Sequence, residues 1–155
     1  MAKLTALHLE SNHLSGSLPS VVGTLTDLKM LLPGFNNLTN TIPSELGLLT
    51  NLSEVDWISG DRGLSLQNNQ RQGRIPSELG MLSNLGRLWL QNNHLTGEIP
   101  LELQLLAMNN GSLMDLDVTG NAQLSGTILD EVCGMESLQF GCSSILCGCN
   151  YTCGA

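Results

Sequence analysis

Leucines in this chain fall at fixed offsets that neither a helical period nor a strand period alone explains. Counted from Leu4, apolar residues stand at Leu7, Leu9, Leu14, Leu18, Val22 and Leu25, with Asn12, Gly16 and Pro19 between them. The same spacing restarts 24 residues later at Leu28 and runs through Leu31, Leu38, Ile42, Leu46 and Leu49. It returns at Leu85 as Leu88, Leu90, Asn93, Leu95, Gly97, Ile99, Pro100, Leu103 and Leu106. An eroded copy begins at Leu113, with Leu116, Val118 and Asn121, and carries one extra residue before Leu124. Apolar and polar positions alternate at the start of each copy, which predicts a short strand with Leu88 and Leu90 inward and Arg87, Trp89 and Gln91 outward. Glycine and proline in the middle forbid a long helix and turn the chain back.

Self-similarity at a fixed period means one small unit stacked on itself. One unit alone has too little apolar surface to fold, so each must seal the next. The predicted fold class is therefore an α/β repeat solenoid. It divides into copies at 4–27, 28–51, 52–84, 85–112 and 113–137, followed by a tail at 138–155.

Three copies depart from the pattern. Pro33 replaces an inward leucine and gives no ladder hydrogen bond, so the strand at Leu31 should be short. The third copy, counted from Leu52 to Leu85, exceeds the standard by nine residues. Two registers compete there: Leu64 and Leu66 inward, or Val55 and Trp57 inward. The first mirrors the fourth copy (LSLQNN against LWLQNN) and is preferred, with Val55 to Gly63 looping out or forming an extra turn. Met108 to Gly111 is surplus in the fourth copy and reads as a loop.

Asn12, Asn36, Asn69, Asn93 and Asn121 recur where strand becomes loop. An amide there can satisfy backbone donors and acceptors that lack a ladder partner, so these five read as structural.

The Leu-Thr-Gly-x-Ile-Pro-x-x-Leu half of the unit, as in Leu95 to Leu103, resembles the plant-type leucine-rich repeat family. That family includes receptor-like proteins, receptor-kinase ectodomains and polygalacturonase-inhibiting proteins. The resemblance covers residues 4 to about 138. It implies a right-handed arc with a parallel, short-stranded concave sheet, and loops or 3-10 turns on the convex side. It also implies a non-catalytic recognition module for a protein, peptide or glycan, set in a secreted or cell-surface receptor-like protein. The alternatives are an inhibitor of a secreted hydrolase and an intracellular interaction scaffold.

All five cysteines, Cys133, Cys142, Cys147, Cys149 and Cys153, lie in the last 23 residues. The resemblance makes this tail a disulfide-bearing terminal cap over the last strand near Leu138–Phe140. Five is odd, so one thiol is left over and the pairing stays open. A zinc site is the weaker rival, because Cys147-x-Cys149 is unlike the usual paired spacing. Four sequons, at Asn37, Asn51, Asn110 and Asn150, are candidate glycosylation sites that fit export. A solenoid ordinarily carries a polar cap over its first apolar layer, and Met1 leads straight into a repeat. No secretory signal opens the chain, so it reads as part of a longer protein or as a product whose true N-terminus is missing.

Charge narrows the partners. The chain carries a net −8. Residues 1–87 hold six basic and seven acidic residues, for −1; residues 88–155 hold seven acids and no Lys or Arg, for −7. Such a surface repels phosphate backbones and anionic headgroups, so nucleic acid is not an expected partner. No apolar run reaches the ~18 residues of a membrane span.

No catalytic constellation emerges. His8, His13 and His94 are dispersed, and His13 and His94 occupy the same position in copies about three layers apart. Asp115 and Asp117 read as a solvated acidic strand rather than a cation site. No metal or cofactor is expected, and the chain is not expected to be an enzyme. Recognition then falls to outward residues that repetition leaves unconstrained: Met30, Leu32, Phe35, Arg62, Arg87, Trp89 and Gln91 are the expected ligand contacts on the concave face.

Overall fold

The computed structural model describes residues 3–53, 63–110, 113–129, 132, 139–141 and 146–147. In chain order the strands are β1 (Ala6–His8), β2 (Ser15–Gly16), β3 (Met30–Leu32), β4 (Asn37–Leu38), β5 (Leu64–Ser65), β6 (Gln72–Gly73), β7 (Arg87–Trp89) and β8 (His94–Glu98). After helix α1 (Leu101–Asn110) come β9 (Asp115–Asp117), β10 (Gln123–Ser125), β11 (Thr127–Ile128), β12 (Gln139–Gly141) and β13 (Leu146–Cys147). The first strand of every repeat joins one parallel sheet in the order β1-β3-β5-β7-β9-β12. Its flank carries a second set of parallel strands, β2-β4 and β6-β8-β10. On the opposite side, three repeats return through 3-10 turns at Ser20–Thr24, Ser44–Leu48 and Ser77–Met81. This is a leucine-rich repeat solenoid arc.

Register holds the layers in phase. Leu7 pairs with Leu31, Leu31 with Leu64, Leu64 with Leu88 and Leu88 with Leu116. The third strand is thus the Leu64 register. Leu31 N–H donates to the Gly63 carbonyl, so Gly63 belongs to the sheet edge rather than to a loop. Val55, Trp57 and Arg62 lie outside the described residues. Leu28, Leu31, Leu46, Leu49, Leu52, Leu64, Leu66, Leu79, Leu82, Leu85, Leu88 and Leu90 are all fully buried. Deleting one would leave a void between layers that cannot collapse, at about 2–5 kcal/mol.

Close packing explains the glycine of the convex turn. Gly23, Gly47 and Gly80 hold the same place in successive repeats, and a Cβ at each would collide with Glu45, Glu78 or Glu102 of the next. The fourth repeat has Gln104 there and departs from the pattern. Its return is an α-helix, α1, which takes in Met108, Asn109 and Asn110 that the sequence suggested as a loop. The reason is local. After Pro100 runs a stretch free of glycine and proline and rich in Leu, Glu and Gln, a good helix former beginning behind a proline. Buried Gln104 then bridges layers: Nε2 donates to the Ile99 carbonyl at 3.1 Å and Oε1 accepts from Leu129 N–H at 2.8 Å.

The asparagine ladder is realised bond for bond. Asn93 Nδ2 lies 3.1 Å from the Leu66 carbonyl of the preceding repeat, and 3.0 and 3.3 Å from the Leu90 and Gln91 carbonyls of its own. Its Oδ1 accepts from Arg71 N–H at 3.1 Å. Asn36, Asn69 and Asn121 repeat this scheme, accepting from Leu14, Leu38 and Leu95. Asn12 is exposed and bonds only to the Leu9 and Glu10 carbonyls of its own repeat.

One core position breaks the apolar rule. Arg71 occupies the inward place held by Leu14, Leu38, Leu95 and Leu124 in the other repeats, and it is fully buried. Its guanidinium has one long contact, Nη1 to the Thr41 carbonyl at 3.5 Å. Among the described residues Nε and Nη2 have no partner. Burial lowers its pKa to about 10.

The cysteine tail is described only in part. Gln139–Gly141 pairs with β9 as a further strand of the main sheet, and Leu146–Cys147 pairs with β11. Cys133, Cys142, Cys149 and Cys153 lie outside the described residues, as does the side chain of Cys147.

Candidate functional site

The parallel sheet turns alternate side chains away from the leucine core, and register arranges them in columns. One column reads Ala6, Met30, Arg87, Asp115; its neighbour reads His8, Leu32, Ser65, Trp89, Asp117. Packing between layers asks nothing of these residues, so their identity is free for other work.

In the fourth and fifth repeats they form a connected cluster. Trp89 Nε1 donates to Asp115 Oδ2 at 2.9 Å, so the indole lies diagonally across two strands. Arg87 Nε is 3.8 Å from the same oxygen, and its guanidinium carbon is 5.7 Å from the centre of the Trp89 ring. A cation over an indole face gains about 0.5–1 kcal/mol at a surface and more once desolvated. Asp117 Oδ1 accepts from Thr119 N–H and Oγ1 at 3.0 and 2.8 Å. That pair locks the carboxylate beside the indole. Gln91, the next outward residue, is half-buried, and its Oε1 is buried without a donor. The cluster offers a fixed aromatic platform, two carboxylates and a guanidinium. Both acids are engaged with protein donors. Among the described residues no group of His, Cys, Asp or Glu side chains has the geometry to hold a metal ion.

The other expected contacts are not gathered with this cluster. Met30 is half-buried on β3. Leu32 is only 2% exposed and is no surface anchor. It is buried apart from the main core, in the same column as Ser65, because an aliphatic side chain on that row is driven out of water like those inside. Ser65 Oγ donates to Gln67 Oε1 at 2.6 Å, and this pair is also buried.

Phe35 is different. It is 51% exposed and sits at φ 54°, in the left-handed region that bulky residues avoid. The matching position in the other repeats holds Ser11, Asn68, Asn92 and Gly120, all at positive φ and all easier to place there. The fold therefore requires the conformation, and only this repeat spends an aromatic on it. Exposed apolar surface and a left-handed backbone coincide at this residue.

Two features were missed by sequence reasoning. The first is an open recess of about 450 Å³ on the flank, lined by Asn92, Asn93, His94, Gly120, Ala122 and Gln123. The one extra residue between Asn121 and Leu124 in the fifth repeat is the one signal in the sequence. The second is another amide ladder at the opposite turn. Asn51 Nδ2 donates to the Thr26 carbonyl at 2.8 Å, and Asn84 Nδ2 donates to Thr50 at 3.1 Å. Its signature is the recurring Thr-Asp-Leu, Thr-Asn-Leu and Ser-Asn-Leu at residues 26, 50 and 83.

Comparison with known proteins places this geometry. The leucine-rich repeat model matches residues 3–25 and 84–106. A chain of the BIR3–SERK2 complex from Arabidopsis thaliana is 30% identical, with a TM-score of 0.74, over 99% of this chain and 75% of that one. The chain belongs to the plant-type leucine-rich repeat family. This leucine-rich repeat chain is also similar to the plant peptide hormone receptor RGFR1, solved in complex with RGF2, at 35% identity and a TM-score of 0.74. The HAESA complex with the peptide hormone IDA and the co-receptor SERK1, from Arabidopsis, shares 30% identity at a TM-score of 0.71. The chain spans 20% of the RGFR1 structure and 23% of the HAESA structure it matches. No curated protein sequence matches it. No helix among the described residues is long and apolar enough to cross a membrane.

Proposed function

We propose that this leucine-rich repeat chain is a non-catalytic recognition module of a secreted or cell-surface receptor-like protein, and that it binds a protein or peptide segment on its concave sheet. The observation that carries the reading is the Arg87–Trp89–Asp115 cluster. An indole pinned by a hydrogen bond at 2.9 Å loses little freedom when a ligand lands on it, which is the property of an interface anchor. The carboxylates beside it suit the amide and basic groups of an extended chain. The similarity to solved peptide-receptor and co-receptor ectodomains supports the same class of partner. Phe35 supplies a second apolar contact, two repeats away.

The test is a selection of random dodecapeptides on the immobilised chain, followed by calorimetry of the selected peptides with Trp89→Ala and Arg87→Ala. Loss of an anchor of this kind costs about 2 kcal/mol or more, which weakens binding about 30-fold. Peptides that bind both variants as tightly as the parent chain would exclude the concave cluster as the site.

A further inference from the structure

The flank recess lies where the repeat pattern leaves room. Along the rim between sheet and flank, Ser11, Phe35, Asn68 and Asn92 stand at positive φ, and the next member of the series is Gly120. A Cβ there would collide with Asn92 Oδ1, so the neighbouring layer's amide takes the place of a side chain. The fifth repeat then has two residues, Ala122 and Gln123, between Asn121 and Leu124, where the other repeats have one. They form a tight turn, closed by Leu124 N–H donating to the Asn121 carbonyl at 3.0 Å. Two small residues and one added position open a recess of about 450 Å³, a size within the range of small-molecule sites.

The lining decides what fits. Asn92, His94 and Gln123 bring two amides and an imidazole, all on exposed residues. Asn92 Nδ2 is held by Asn68 Oδ1 at 3.1 Å. The side chains of His94 and Gln123 make no hydrogen bond among the described residues. Gly120 and Ala122 add small carbon surface. Among the described residues, no carboxylate, guanidinium, ammonium or aromatic ring lines the recess.

These features exclude most kinds of ligand. A peptide that adds as a strand needs a free sheet edge, and β8 is paired on both sides, by β6 and β10. A charged group finds no opposite charge, and a bulky apolar side chain finds no aromatic or branched wall. Anions are further opposed by residues 88–155, which hold seven acids and no Lys or Arg. An uncharged ligand rich in hydroxyls remains. Each hydroxyl both donates and accepts, and amides and an imidazole answer both roles. The flank continues in the same character. The places equivalent to His94 hold His13, Asn37 and Gln70, all exposed, so a chain of linked rings has polar surface to follow beyond the recess.

We infer that this recess is a binding site for a neutral sugar ring, with Asn92, His94 and Gln123 bonding its hydroxyls and the flank carrying the rest of an uncharged oligosaccharide. It lies off the concave sheet and is separate from the site proposed there for a protein or peptide.

The test is NMR of the full chain, nitrogen-labelled and titrated separately with cellohexaose, mannohexaose, xylohexaose and hexagalacturonate. At least one of the neutral sugars should move the side-chain amide signals of Asn92 and Gln123 and leave the Trp89 indole signal in place. Hexagalacturonate should move neither. Ala122→Trp fills the recess from an exposed position and should abolish the shifts while melting like the parent. Gln123→Ala removes one bonding group, should weaken binding several-fold, and keeps the test decisive if the tryptophan variant does not fold. Failure of every neutral sugar to move these amides overturns the inference. So do shifts produced by hexagalacturonate alone, shifts at the Trp89 indole instead, or binding that survives both variants unchanged.

Discussion

Replacing Arg71 with leucine should make this protein more stable. The guanidinium is fully buried, and among the described residues two of its nitrogens lack partners and its one contact is 3.5 Å long. Burial lowers its pKa to about 10. At 1.36 kcal/mol for each pH unit, the charged form costs the folded state about 3 kcal/mol. Leucine removes that cost and fits, because Leu38, Leu95 and Leu124 fill the equivalent place in the other layers at 4%, 0% and 3% exposure. A gain of this size in a chain of 155 residues corresponds to a melting temperature higher by about 6–12 °C. The pH dependence gives a second handle. Below pH 10 the arginine is charged both folded and unfolded, so the parent chain bears the full penalty. Above about pH 10 the folded state sheds its proton before the unfolded chain does, and the penalty fades. Circular-dichroism melts of parent and Arg71→Leu at pH 7 and pH 11 should therefore show a gap that narrows at the higher pH. Equal melting at pH 7, or a gap that does not narrow, would refute the picture of an unsolvated buried charge.

Four further outcomes follow. Asn93→Ala breaks bonds to Leu66, Leu90, Gln91 and Arg71 and should cost about 1–3 kcal/mol in urea unfolding. Asn12→Ala, which touches only its own repeat, should change stability by under about 0.5 kcal/mol. Gly47→Ala drives a Cβ into the Glu78 backbone and should destabilise by about 1–3 kcal/mol, read as a lower unfolding midpoint. Phe35→Asn places a residue that tolerates positive φ where the other repeats have one. It should raise stability by about 1 kcal/mol and weaken any peptide selected on the concave face; a variant that binds better would remove Phe35 from the site.

The parts of this fold legible in sequence are those that every layer must solve alike. Leu31, Leu64, Leu88 and Leu116 lie in one register because each strand pairs only with its neighbours. The amides at Asn36, Asn69, Asn93 and Asn121 recur because each turn leaves the same backbone groups unpaired. Nothing of that kind announces α1. The pattern there looked like a loop because repeat counting treats surplus residues as excess, whereas local helix propensity absorbed them once Gln104 replaced the turn glycine.

The concave cluster was half legible. The sequence by itself determined which side chains face outward, since alternation along a strand has period two. It named Arg87 and Trp89 as free to vary. Only the tertiary structure decided that Trp89 reaches diagonally to Asp115, that Leu32 is buried although its row faces outward, that Phe35 is held at positive φ, and that Asn51 is tied to Thr26. Each of these depends on contacts between residues about 24 or more positions apart or on a backbone angle. A repeat pattern records what the layers share; these features arise from how one particular layer meets the next.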